Sequence, residues 1–66
     1  MKINLAKRMR AARLAKKMSQ RELAGILGID HARVSELENG KVTSPRLPLL
    51  LQIAKALGIS VDRLLH

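Results

Sequence analysis

The chain has no cysteine and no phenylalanine, tyrosine or tryptophan, and only five of its 66 residues are acidic. Without cysteine there is neither a disulfide staple nor a thiolate metal site, so packing, helix caps or self-association must hold so short a chain together. Without aromatic rings the core must be aliphatic, and the stacking platforms used to grip unpaired RNA bases are missing. No apolar run approaches the roughly 20 residues that span a bilayer, and Met1-Lys2-Ile3 lacks the apolar core of a signal peptide. The length allows one domain at most and these absences suit a soluble, untargeted protein, with which a reducing, cytoplasmic setting is compatible. Catalysis is poorly served as well. The histidines are His31 and His66 alone, His31 and Ser35 lie one helical turn apart without an orienting acid, and no carboxylates pair for acid-base work. No metal or cofactor site is expected.

What is abundant is positive charge. The net charge is +8, and the first acidic residue, Glu22, follows Lys2, Lys7, Arg8, Arg10, Arg13, Lys16, Lys17 and Arg21. A polyanion is one natural partner; the plainer alternative is that these side chains keep a helical surface soluble. A membrane-binding role for the first helix is disfavoured, because its apolar face is broken and carries no tryptophan or phenylalanine.

The apolar spacing predicts an all-α chain with helices over residues 4–16, 19–27, 30–39, 47–57 and 60–65. Asn4 caps the first, which places Leu5, Met9 and Ala12 on one face, with Lys16 snorkelling at its edge. Ser19 and Glu22 form a capping box at the start of the second, and Gly28 ends it. Asp30 caps the third, with Gly40 as its stop. Pro48 is tolerated in the first turn of the fourth, where its missing amide has no partner. In that helix Leu47, Leu50, Ala54 and Leu57 form the core stripe; Gly58 closes it and Ser60 caps the last turn. Leu23, Ala24, Leu27, Ile29, Val34 and Leu37 line a seam between the second and third helices. A short helix, a glycine turn and a second helix with a mixed polar face make the arrangement that seats one helix in the major groove of DNA.

Ser19-Gln20, Leu23-Ala24, Leu27-Gly28-Ile29, Val34-Ser35, Leu37-Glu38-Asn39-Gly40-Lys41 and the run Leu50 to Gly58 resemble the phage repressor and Cro family of helix-turn-helix regulators, over about Leu5 to Leu65. The resemblance implies a compact five-helix, lambda-repressor-like fold in a bacterial or phage-encoded, nucleoid-associated protein. It implies that the helix from Asp30 is the recognition helix, that Gln20 touches phosphate, and that Arg13 pairs with Glu38 beside the DNA backbone. Three features depart from the family pattern. Lys17 stands where glycine usually ends the first helix, so a residue with a Cβ is expected at positive φ. The loop through Val42, Thr43 and Ser44 is a residue longer. Gly25 lies inside a helix, where it could permit a close backbone approach.

Phosphate neutralisation would fall to Arg10, Arg13, Lys17, Arg21, Lys41 and Arg46, with Gln20, Asn39 and Thr43 as further backbone contacts. Base reading would fall to the outward positions His31, Ala32, Arg33, Ser35 and Glu36. The imidazole can donate or accept at a purine edge, Ala32 offers a methyl to thymine, and Glu36 can only accept, which suits cytosine N4. Glu36 could instead pair locally with Arg33, and Asn39 could simply end its helix. Two copies would read a palindromic operator, with Leu49, Val61 and Leu65 as the candidate patch for a homodimer, unless Leu49 covers a helix of its own protomer. Sequence-specific binding of double-stranded DNA as a repressor is thus the expected function. An antitoxin-type regulator that also binds a protein toxin is the alternative.

Overall fold

The computed structural model describes residues 5–41 and 45–65. Among them are helices α1 (Leu5–Ala15), α2 (Gln20–Leu27), α3 (His31–Glu38), α4 (Leu47–Leu57) and α5 (Val61–Leu65). Each lies within one or two residues of its expected span. The cap expected at Asn4 and the long loop at Val42, Thr43 and Ser44 lie outside the described residues.

Helix α1 packs against α3, α4 and α5, and α2 packs against α3 and α4, so every helix faces one aliphatic core. Leu5, Met9, Leu23, Val34, Leu37, Ile53 and Leu64 are its largest fully buried side chains. The α2–α3 seam forms as expected: Leu23, Ala24, Leu27, Val34 and Leu37 are buried and Ile29 is half-buried. The expected stripe on α4 needs one correction. Leu50, Ile53, Ala54 and Leu57 are buried, whereas Leu47 is 60% exposed. Contacts to both α1 and α2 turn α4 so that Ile53, rather than Leu47, faces inward.

The helices stop by a common device. After α2, α3 and α4 a glycine takes positive φ (Gly28 70°, Gly40 77°, Gly58 70°). The next residue then donates its amide to the carbonyl five residues back: Ile29 to Ala24, Lys41 to Glu36 and Ile59 to Ala54. Orphan carbonyls of the last turn are satisfied in this way. Helix α1 ends identically, with Met18 N–H donating to the Arg13 carbonyl, but its left-handed position is occupied by Lys17 at φ 55°. A Cβ in that conformation costs about 1 kcal/mol. Lys17→Gly is therefore expected to raise the chemical-denaturation midpoint, with a gain of about 1 kcal/mol.

Gly25 offers a second gain. It is exposed inside α2, and nothing lies within 4 Å of a Cβ built onto it, so the expected close backbone approach does not occur. Gly25→Ala should stabilise the domain by up to about 1 kcal/mol through helix propensity alone, visible as a thermal midpoint several degrees higher. Lys16 follows α1 directly and is exposed. Its Cε and Nζ lie 3.3 Å from where a Cβ on Gly58 would stand. Its ammonium thus sits over the carboxyl end of α4, where a cation is favoured by the helix dipole.

Candidate nucleic-acid interface

Helix α3 presents its inner face, Val34, Leu37 and Glu38, to the core. At 100° per residue its opposite face carries Ala32, Ser35, Glu36 and Asn39, flanked by His31 on one edge and Arg33 on the other. All are exposed except Ser35, which is half-buried. The five residues expected to read bases thus share one open surface. Glu36 forms no ion pair with Arg33 among the described residues, so its carboxylate stays available as an acceptor. Arg33 lies along a groove with Asp30 and Arg46, where the start of α3 meets the start of α4. Asn39 ends the helix, its amide bonded to the Ser35 carbonyl at 2.9 Å, and its Nδ2 reaches Ser35 Oγ at 3.4 Å.

The start of α2 is built by the capping box. Ser19 Oγ accepts from Glu22 N–H at 3.0 Å, and Glu22 Oε1 accepts from Ser19 N–H at 2.9 Å. The bond from the Ser19 amide, followed by that with its hydroxyl, holds the exposed Glu22 carboxyl below its ordinary value. Its stabilisation is accordingly present above the usual glutamate value of about 4.3 and fades as pH falls through the lowered folded value. The box leaves the amides of Gln20 and Arg21 for an outside acceptor. Asp30, at the corresponding position of α3, makes no side-chain cap, contrary to expectation. Its own backbone carbonyl takes the amides of Arg33 at 3.0 Å and Val34 at 3.4 Å, so one of the two amides a capping carboxylate can use is already engaged.

Beneath this surface lies one buried ion pair. Arg13 Nε donates to Glu38 Oε2 at 2.7 Å and Arg13 Nη2 to Glu38 Oε1 at 2.9 Å, joining α1 to α3. Arg13 Nη1 donates to the Met18 carbonyl at 2.7 Å, which fastens the turn into α2. The hydrogen bonds to Glu38 hold the guanidinium above the ordinary arginine value; burial opposes them and attraction to the same carboxylate adds to them. With Arg13 only 7% exposed and Glu38 8%, the pair is part of the architecture. Three of the Arg13 nitrogens are thus engaged inside the protein, which leaves this side chain little surface to offer a phosphate. No buried side-chain nitrogen or oxygen among the described residues lacks a partner.

The remaining candidate cations, Arg10, Lys17, Arg21, Lys41 and Arg46, are all exposed, and Gln20 is half-exposed. Thr43 lies outside the described residues. Leu49, Val61 and Leu65 are half-buried against the core, so each is at least partly used within the protomer. The leucines that stand out on α4 are Leu47 and Leu51, at 60% and 54% exposure. One contact had no signal in the sequence: Gln20 Nε2 donates to Glu38 Oε1 at 3.1 Å, adding α2 to the pair. Among the described residues no helix is long and apolar enough to cross a membrane.

Known proteins share this arrangement. A family model described as helix-turn-helix matches residues 9–64. The uncharacterized helix-turn-helix-type transcriptional regulator y4dL of Sinorhizobium fredii is 38% identical over 58 residues, which are 88% of this chain and 29% of the relative. This chain thus spans less than a third of that regulator's length. Among solved structures, the restriction-modification controller protein C.AhdI from Aeromonas hydrophila is 34% identical with a TM-score of 0.84, over 94% of this chain and 92% of that one. The P22 c2 repressor protein, solved in complex with a synthetic operator, is 33% identical with a TM-score of 0.86, over 92% and 91% of the two chains. With its turn, its open helix face and these relatives, the chain belongs to the helix-turn-helix family of DNA-binding transcriptional regulators.

Proposed function

We propose that this protein is a repressor that reads a palindromic operator as a homodimer in the cytoplasm, by binding alone and without catalysis. The observation that carries this reading is the outward face of α3, where a donor-acceptor imidazole, a methyl, a hydroxyl and an acceptor-only carboxylate share one exposed surface. Around it, Arg10, Lys17, Arg21, Lys41 and Arg46 supply charge to hold the helix against the phosphates, and Gln20 and Asn39 supply neutral contacts. The P22 c2 relative, which was solved on operator DNA, supports the same use of the fold. Leu47 and Leu51, one turn apart on α4, are exposed apolar residues that offer a second copy a shared patch, with Leu65 and Val61 as supporting contacts. Nothing in the fold or in these relatives favours a toxin partner.

In vitro selection of bound duplexes tests the reading. A defined consensus is expected, with two half-sites centred about one helical turn apart. Repeating the selection with Glu36→Gln should relax preference at one base pair per half-site, because an amide both donates and accepts where a carboxylate only accepts. An identical consensus from both proteins would remove Glu36 from the base-reading set, and a consensus without symmetry would remove the dimer.

A further inference from the structure

Gln20 is tied on its inner side and open on its outer side. The atom it turns toward Glu38 must be its nitrogen, because a carboxylate only accepts. The opposite amide orientation would set oxygen against oxygen. Glu38 in turn has little freedom: its Oε1 also takes Arg13 Nη2 at 2.9 Å and its Oε2 takes Arg13 Nε at 2.7 Å. A planar guanidinium holding both oxygens fixes the carboxylate's position and tilt. Arg13 is itself anchored to the Met18 carbonyl. The plane of an amide on α2 is therefore set from α1 and α3 together, while the residue remains half-exposed between the exposed Ser19 and Arg21.

We propose that Glu38 is a positioning residue for DNA binding, which holds the Gln20 amide in one orientation with its second N–H offered to a backbone phosphate. The proposal rests on the reading of Gln20 as a phosphate contact. A free glutamine must freeze its side-chain rotations when it meets DNA, whereas Gln20 has them restricted beforehand, so more of the contact is kept as affinity. The contact is neutral, so it contributes no counterion release.

Affinity for a labelled duplex of the selected sequence is measured for the wild type, Gln20→Ala, Glu38→Gln and the double variant at several salt concentrations. Thermal unfolding of each defines a temperature at which all are folded. Gln20→Ala is expected to weaken binding by about tenfold, the scale of one hydrogen bond to a charged group. Glu38→Gln should weaken it similarly in the wild-type background and by less than about twofold once Gln20 is gone, with the slope of affinity against salt unchanged throughout. An equal loss in both backgrounds would overturn the positioning role, leaving Glu38 as a brace only. A steeper salt dependence in Glu38→Gln would overturn it also, since it would mean that Arg13 had been released to a phosphate. No loss from Gln20→Ala would instead remove the phosphate contact on which the proposal stands. A measurement on the wild type alone decides the matter if Glu38→Gln does not fold. One Gln20 side-chain amide proton should be shifted and exchange slowly, against exposed Gln52 as the internal control, and behaviour identical to Gln52 would overturn the proposal.

Discussion

Glu38→Ala is expected to lower the stability of this domain by about 3–5 kcal/mol, because it strands a buried guanidinium without its carboxylate. Domains of this length have total stabilities of only about 3–10 kcal/mol, at 0.05–0.15 kcal/mol per residue. The loss therefore takes most of the reserve, and the melting midpoint should fall by on the order of 20 °C or more. The burial of both partners is what makes this so large, since an exposed pair would contribute under about 1 kcal/mol. Removing both charges is a different perturbation. Arg13→Met combined with Glu38→Leu leaves no uncompensated ion, and such exchanges are frequently neutral or stabilising. The double variant should recover much of the midpoint that Glu38→Ala loses. A Glu38→Ala midpoint within a few degrees of the wild type would mean that the pair contributes little.

Salt should act as strongly on binding as this substitution acts on folding. With Arg13 buried, five of the candidate cations are exposed for neutralising phosphate: Arg10, Lys17, Arg21, Lys41 and Arg46. Five contacts give a slope of log affinity against log salt of about −4.5 per protomer, or a loss of about 500-fold between 50 and 200 mM salt. A sixth contact would steepen the slope by about 0.9, so the measurement also asks whether Arg13 stays inside. Lys41→Ala should shift it by the same amount in the shallow direction and weaken random and selected duplexes alike. Lys17→Gly separates two roles of one residue, with folding stability rising as the turn relaxes and the salt slope becoming shallower. A flat salt dependence would contradict the assignment of these side chains to the phosphate backbone.

Features settled by neighbours in the chain were legible beforehand, and those settled across the fold were not. The Ser19 and Glu22 box depends on two side chains three residues apart and forms as read. The turn at Gly28 follows from local geometry in the same way, whereas the left-handed Lys17 is expected only because the resemblance places a glycine there. The Arg13 and Glu38 pair spans 25 residues and entered only through family resemblance, without any sign that both partners would be buried. On α4, helical spacing alone accommodates either Leu47 or Ile53 in the core stripe, and only contact with α1 and α2 decides between them. Asp30 has the right residue type at the right position, yet its side chain makes no cap and its backbone carbonyl takes the Arg33 amide instead. The bond from Gln20 to Glu38 joins residues 18 apart on separate helices and leaves no periodic trace.

That one carboxylate should also govern how the molecule comes apart. With α1, α2 and α3 fastened to the same pair of oxygens, no one of them can swing away alone without breaking bonds that serve the other two. Opening is then concerted for the trio, and partial states with a loosened third helix are suppressed. By contrast α5 has a single fully buried anchor, Leu64. Local opening should begin at this helix, remote in sequence from the reading surface, and leave that surface intact until the whole domain gives way.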